Sequence, residues 1–153
     1  MEYIQANKDE PDDAGCVLCR IGEGEESERV LERSGSCYVV LNKFPYNPGH
    51  VMVVPARHVG DFEDVTDEEL LDLQRLLRKS VAALREEMAP HGFNIGLNLG
   101  GIAGAGLPDH LHWHVVPRWS GDTNFMPVVG QTRVMPELLE ETARRLAPRF
   151  ENG

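Results

Sequence analysis

Three of the chain's six histidines fall at alternate positions in His110-Leu111-His112-Trp113-His114. Successive side chains of an extended strand point to opposite faces. His110, His112 and His114 would then share one face, with Leu111, Trp113 and Val115 turned into the core behind it. Imidazoles crowded in this way must share hydrogen-bond partners or a ligand. Two chemistries answer that need. Three imidazoles can hold a catalytic metal with one open position. Alternatively, one imidazole can attack phosphorus while its neighbours orient it and handle the departing oxygen. The preceding loop, residues 100–106, carries Gly100, Gly101, Gly104 and Gly106. It offers closely spaced backbone N–H groups with little side-chain obstruction, which suits phosphate oxygens and favours the second chemistry.

A second cluster of reactive residues lies near the start of the chain. Cys16-Val17-Leu18-Cys19 has the spacing of half a tetrahedral zinc site, whose other ligands must come from elsewhere. No thioredoxin-like βαβ pattern surrounds the pair, so a redox role is the weaker alternative, beside that of two free thiols. The third cysteine, Cys37, reads as a small buried hydrophobe.

The elements that must position these residues are short. The chain has 153 residues, with 15 Gly and 10 Pro set mostly between apolar runs. It reads as a single domain over residues 15–150, after a loosely held polar segment at 1–14. The acidic stretch 22–29 reads as an exposed loop. Strands are expected at 37–41, 51–54, 93–99 and 111–116, the last ending at Pro117, with a turn over 42–50 marked by Pro45, Pro48 and Gly49. Thr66-Asp67-Glu68-Glu69 fits a capping box. It opens a helix whose stripe of Leu70, Leu73, Leu77, Val81, Leu84 and Met88 serves the core or a dimer surface. Pro136 opens a last helix through Leu138, Leu139 and Leu146. The formal charge of −10 argues against broad binding to nucleic acid or an anionic membrane, but leaves room for a small anionic ligand. No apolar run approaches the roughly 20 residues of a membrane span, and the N-terminus does not read as a secretory signal. A cytoplasmic protein is expected.

With these residues in view, the chain resembles the histidine triad (HIT) family. His110-Leu111-His112-Trp113-His114-Val115-Val116 matches that family's signature of histidines alternating with apolar residues. Asn42-Lys43-Phe44-Pro45-Tyr46-Asn47-Pro48-Gly49-His50 resembles its other recurrent segment. The continuation Trp119-Ser120-Gly121-Asp122-Thr123-Asn124-Phe125 is similar to the microbial branch of diadenosine polyphosphate phosphorylases and hydrolases. The resemblance implies an α+β fold, a five-stranded antiparallel sheet with packed helices, in a two-fold homodimer. It implies that His112 attacks the α-phosphorus of a nucleotide, adenine nucleotides favoured, and forms a nucleotidyl-histidine intermediate. The carbonyl of His110 would orient His112, and His114 would contact the phosphate and assist the departing oxygen. His50 would support the triad from beneath. Asn42 and Asn98 would lie on the ribose or phosphate side, Gly104, Ala105 and Gly106 would offer backbone N–H groups, and Trp119 would either stack on the base or sit half-buried. The resemblance also implies structural Zn2+ held by Cys16, Cys19, His58 and His110, and no organic cofactor.

One departure bears on function. Many members carry Gln followed by Ser or Thr just before the triad, where this chain has Gly106 and Leu107. Side-chain phosphate donors are therefore missing there, and the acceptor, water or phosphate, stays open. Two other classes remain: a nucleotide-binding module with little turnover, and a metalloenzyme using all three histidines as ligands.

Overall fold

The computed structural model describes residues 15–122 and 137–151. Two apolar runs form its centre. β2 (Cys37–Leu41) and β3 (Val51–Pro55), following β1 (Val30–Ser34), are buried at every position, as strands covered on both faces should be. β4 (Gly92–Leu97) and β5 (Trp113–Arg118) complete an antiparallel five-stranded sheet of order β1-β2-β3-β5-β4. On one face Val39, Val53, Trp113 and Val115 meet two helices, α2 (Asp67–Met88) through Leu73, Leu77 and Leu84, and α3 (Leu139–Glu151) through Leu146 and Phe150. On the other face Tyr38, Val40, Met52 and Val54 meet Leu18 and Ile21 of α1 (Val17–Glu23). The stripe expected on α2 is therefore spent largely inside the chain. Among the described residues no helix is long and apolar enough to cross a membrane.

Three expectations shift. The stretch 22–29 is not simply a loop: α1 runs to Glu23, and Ser27–Arg29 forms a 3-10 turn with Arg29 buried, its Nη1 donating to the Leu41 carbonyl at 2.6 Å. The triad strand starts later than expected, at Trp113, because the N–H of Leu111 donates to Val59 (2.8 Å) and not to a strand ladder. It also passes through Pro117 to Arg118. β3 pairs only with 113–115, so beyond Val115 that edge has no ladder to receive the N–H that Pro117 lacks. The Pro117 carbonyl instead accepts from Asn47 Nδ2 at 2.8 Å. The expected start of the last helix at Pro136 lies outside the described residues.

The capping box at Thr66 is formed, and it does more than start a helix. Thr66 Oγ1 accepts from the Glu69 N–H at 3.2 Å, and Glu69 Oε2 accepts from the Thr66 N–H at 2.9 Å. Arg57, next to His58, also donates twice to the Glu69 carboxylate, at 2.9 Å each. The guanidinium holds the Glu69 pKa down to about 2, against the opposing effect of burial. A carboxylate whose pKa falls on folding stabilises the fold above its unfolded value and loses that contribution as pH drops through the folded one. Glu69→Gln is therefore expected to cost about 1–2 kcal/mol at neutral pH. Urea unfolding should show the gap to wild type closing between pH 4.5 and about 2. A gap independent of pH would refute the assignment.

Candidate active site

The turn after β2 sets the floor of the site. Asn42 Oδ1 accepts from the Phe44 N–H at 2.9 Å, and the chain closes with the Asn42 N–H donating to the His50 carbonyl, also at 2.9 Å. Gly49 closes it at φ +76, where a Cβ would lie 2.7 Å from Met88 Sδ and 2.9 Å from Leu84. This close approach to α2 leaves room for no side chain and drives His50 to full burial.

Hydrogen bonds then fix the state of each imidazole. The Tyr46 N–H donates to His50 Nδ1 at 3.0 Å, so the ring proton of neutral His50 is on Nε2. That N–H donates to His114 Nδ1 at 2.9 Å. The proton of neutral His114 therefore sits on Nε2, as a donor. Burial, followed by the neighbouring His112, lowers the His114 pKa to about 4, so the ring is neutral near pH 7. His112 Nδ1–H donates to the His110 carbonyl at 2.8 Å, which leaves the Nε2 lone pair available. Burial depresses the pKa of His112 as well, against the bond to that carbonyl. The rings of His112 and His114 meet edge to face, centroids 5.1 Å apart. An unprotonated ring nitrogen thus stands beside a neutral N–H donor, an arrangement able to serve transfer at phosphorus.

His110 faces elsewhere. Its Nε2–H donates to the Pro55 carbonyl at 2.9 Å, and its Nδ1 lies 3.2 Å from Cys16 Sγ and 3.5 Å from Cys19 Sγ. Cys19 Sγ also lies 3.3 Å from His58 Nδ1. The ligand atoms of Cys16, Cys19, His58 and His110 all fall within 4.8 Å of one another. Bonds of about 2.3 Å to sulfur and 2.0–2.1 Å to nitrogen in a tetrahedron would put S and N roughly 3.6 Å apart, close to these separations. The carbonyl on Nε2 also selects the ring form with its lone pair on Nδ1, toward the sulfurs, as for a metal-bound imidazole. These four side chains form a possible metal site, so the three histidines of the triad strand do not act as one ligand set. Gly60, unremarkable in the sequence alone, permits this close junction: a Cβ there would lie 3.0 Å from the Asp109 carbonyl oxygen.

Other expected residues are placed less centrally. Asn42 Nδ2 stands 3.4 Å from His50 Nε2, beneath the site. Asn98 donates to the Gly104 carbonyl at 3.4 Å and lines a pocket beside His114. Within the glycine loop, the N–H groups of Ala103, Gly104 and Ala105 bond to carbonyls of Gly100 and Gly101. Of the expected phosphate donors Gly104, Ala105 and Gly106, the first two are thus engaged by their own loop in this structure. Trp119 is half-buried in the turn after β5, its N–H bonded to Asp122, and does not line that pocket. His91, just before β4, accepts from the Ser120 N–H at 2.8 Å.

Comparison with known proteins agrees with this geometry. The HIT domain model matches residues 23–121. The chain is 50% identical over 123 residues to an AP-4-A phosphorylase of Mycobacterium tuberculosis, covering 80% of this chain and 63% of that protein. The chain thus spans less than two thirds of this relative's length. An adenosine 5'-monophosphoramidase of Schizosaccharomyces pombe is 28% identical over 67% of this chain and 74% of its own length. A solved structure of a zinc-bound histidine triad family protein from Mycobacterium smegmatis superposes with a TM-score of 0.76 at 28% identity, covering 92% of this chain and 96% of that one. The five-stranded sheet, the triad and these matches together make the chain a member of the HIT domain family.

Proposed function

We propose that this protein transfers a nucleotidyl group from a dinucleoside polyphosphate or a nucleoside phosphoramidate, through a covalent intermediate on His112. The observation that carries the reading is the bond from His112 Nδ1–H to the His110 carbonyl, which leaves Nε2 as the attacking atom beside the His114 donor. Attack forms an N–P bond at the α-phosphate and breaks the bond from that phosphorus to the leaving group. The departing atom carries away the bonding pair, with the His114 N–H stabilising the charge that develops. Oxygen of water or inorganic phosphate then attacks the same phosphorus, loses its proton and releases His112. Asn42, Asn98 and the 104–106 loop are taken as nucleotide contacts.

The AP-4-A phosphorylase relative supports a two-ended adenine nucleotide as substrate and phosphate as acceptor. Incubation with diadenosine tetraphosphate, with and without inorganic phosphate, tests the reading directly. ADP plus ATP formed only with phosphate marks a phosphorylase, and AMP plus ATP marks a hydrolase. Absence of turnover on this substrate and on simple adenylates would leave a nucleotide-binding module.

The four residues Cys16, Cys19, His58 and His110 are proposed to hold zinc, and the zinc-bound relative supports that choice of metal. Bound zinc would cross-link α1, the segment after β3 and the segment that leads through His112 into β5. Reduced thiol ligands suit a cytoplasmic setting. A two-fold dimer is also proposed. Edge strand β4 and the loop beyond it leave Ile95 and Leu99 half exposed, a surface suited to a second copy. Light scattering is expected to give twice the chain mass at micromolar concentration, and a monomer would refute it.

A further inference from the structure

Where α1 no longer covers the sheet, the face of β4 and β5 is hollowed into a pocket of about 440 Å3. Its lining includes Tyr46, Asn47, Asn94, Asn98, His114 and Arg118. The pocket begins at His114 and follows β5 away from His112. His114 and Arg118 share a face four residues apart, a span of roughly 13 Å at about 3.3 Å per residue. In-line displacement at phosphorus sends the leaving group away from the nucleophile, and this hollow extends from the group that stabilises it.

The chemistry of the lining is not that of a phosphate seat. The cation of Arg118 is matched by Asp122, at 2.6 and 2.8 Å, and its third bond goes to Asn94 Oδ1 at 2.8 Å. Asn47 donates to the same carboxylate at 2.8 Å. What remains is neutral: the Asn94 amide nitrogen as a donor, the Asn47 amide oxygen as an acceptor, and the half-exposed ring of Tyr46 stacked on His114 with centroids 6.1 Å apart. Amides of this kind match the edge of a nucleobase, and an aromatic face matches its plane. The volume falls in the range of small-molecule pockets.

We infer that this pocket seats the nucleoside on the leaving side of the substrate, so that the enzyme recognises both ends of a dinucleoside polyphosphate. The inference rests on the His112 transfer reading proposed above. It explains how a polyanion is selected over shorter or one-ended nucleotides without a cluster of lysines.

The test compares kcat/KM for diadenosine tetraphosphate with that for adenosine tetraphosphate, which has the same scissile bond and lacks the distal nucleoside. Wild type is expected to favour the two-ended substrate by about tenfold or more, on the strength of one stacked base. Asn94→Ala and Tyr46→Leu should each bring that ratio toward one, and Tyr46→Phe should keep it, with thermal unfolding used to confirm that each variant is folded. Turnover of both substrates at similar kcat/KM in wild type, or a ratio untouched by both variants, would overturn the inference and leave the transfer reading standing. No turnover of either substrate would overturn both.

Discussion

Replacing His112 with Ala or Asn is expected to lower turnover by roughly 10,000-fold or more while nucleotide affinity stays within a few-fold of wild type. In the proposed mechanism binding is spread over many contacts, whereas bond cleavage depends on one nitrogen. That nitrogen is Nε2 because the His110 carbonyl holds the other ring nitrogen at 2.8 Å. His114→Ala should cost less, about 100- to 10,000-fold, since it removes a positioned donor and leaves the nucleophile. Rapid quenching of wild type with α-labelled substrate should trap an acid-labile nucleotide on the protein, and the same quench of the Ala variant should trap none. Near-normal turnover without His112 would defeat the covalent route.

The second large effect concerns the metal. Purified protein is expected to carry about one zinc per chain, provided no chelator was used. Binding energy at such a site is folding energy, because the unfolded chain has no preformed site. Cys16→Ser removes one of four ligands drawn together from α1, the segment after β3 and the triad. Loss of a structural metal is among the few changes that cost about 4 kcal/mol or more. At about 2–4 °C per kcal/mol for a chain of this size, Tm should fall by roughly 10 °C. Chelation of wild type should reproduce the fall, and chelation of the variant should add little. Elemental analysis free of zinc, or a variant that melts like wild type, would exclude the structural metal.

Residues close together in sequence were the readable ones. The alternation at 110–114 marks the triad even though β5 begins only at Trp113 and His110 faces elsewhere, and the α2 stripe shows its helix at a period near 3.6. The apolar runs of β2 and β3 were readable for a related reason, since burial on both faces leaves no polar position. β1 and α1 were not, because their residues are short runs of mixed polarity whose burial is decided by what docks on them. Arg29 is the clearest case: an arginine inside an acidic stretch reads as solvated, yet it is buried against the Leu41 carbonyl. The metal cluster joins residues 16, 19, 58 and 110, and local spacing accounts only for the two cysteines. The pocket beside His114 was invisible for the same reason. Tyr46, Asn94 and Arg118 come from a turn and two strands, and no one of them is unusual alone.

The path from the Tyr46 N–H through His50 to His114 runs in one direction. Each donor passes its polarity to the next, so three aligned dipoles end in an N–H that presents positive potential without carrying a formal charge. This matters in a chain of formal charge −10 that is proposed to hold a polyanion. A site built from lysines would gain its attraction by displacing counterions and would weaken steeply as salt is added. An oriented line of neutral groups acts at contact, where ions in solution screen it little. Recognition of this kind is insensitive to the ionic strength around the protein and sensitive to the orientation of a single buried ring, that of His50.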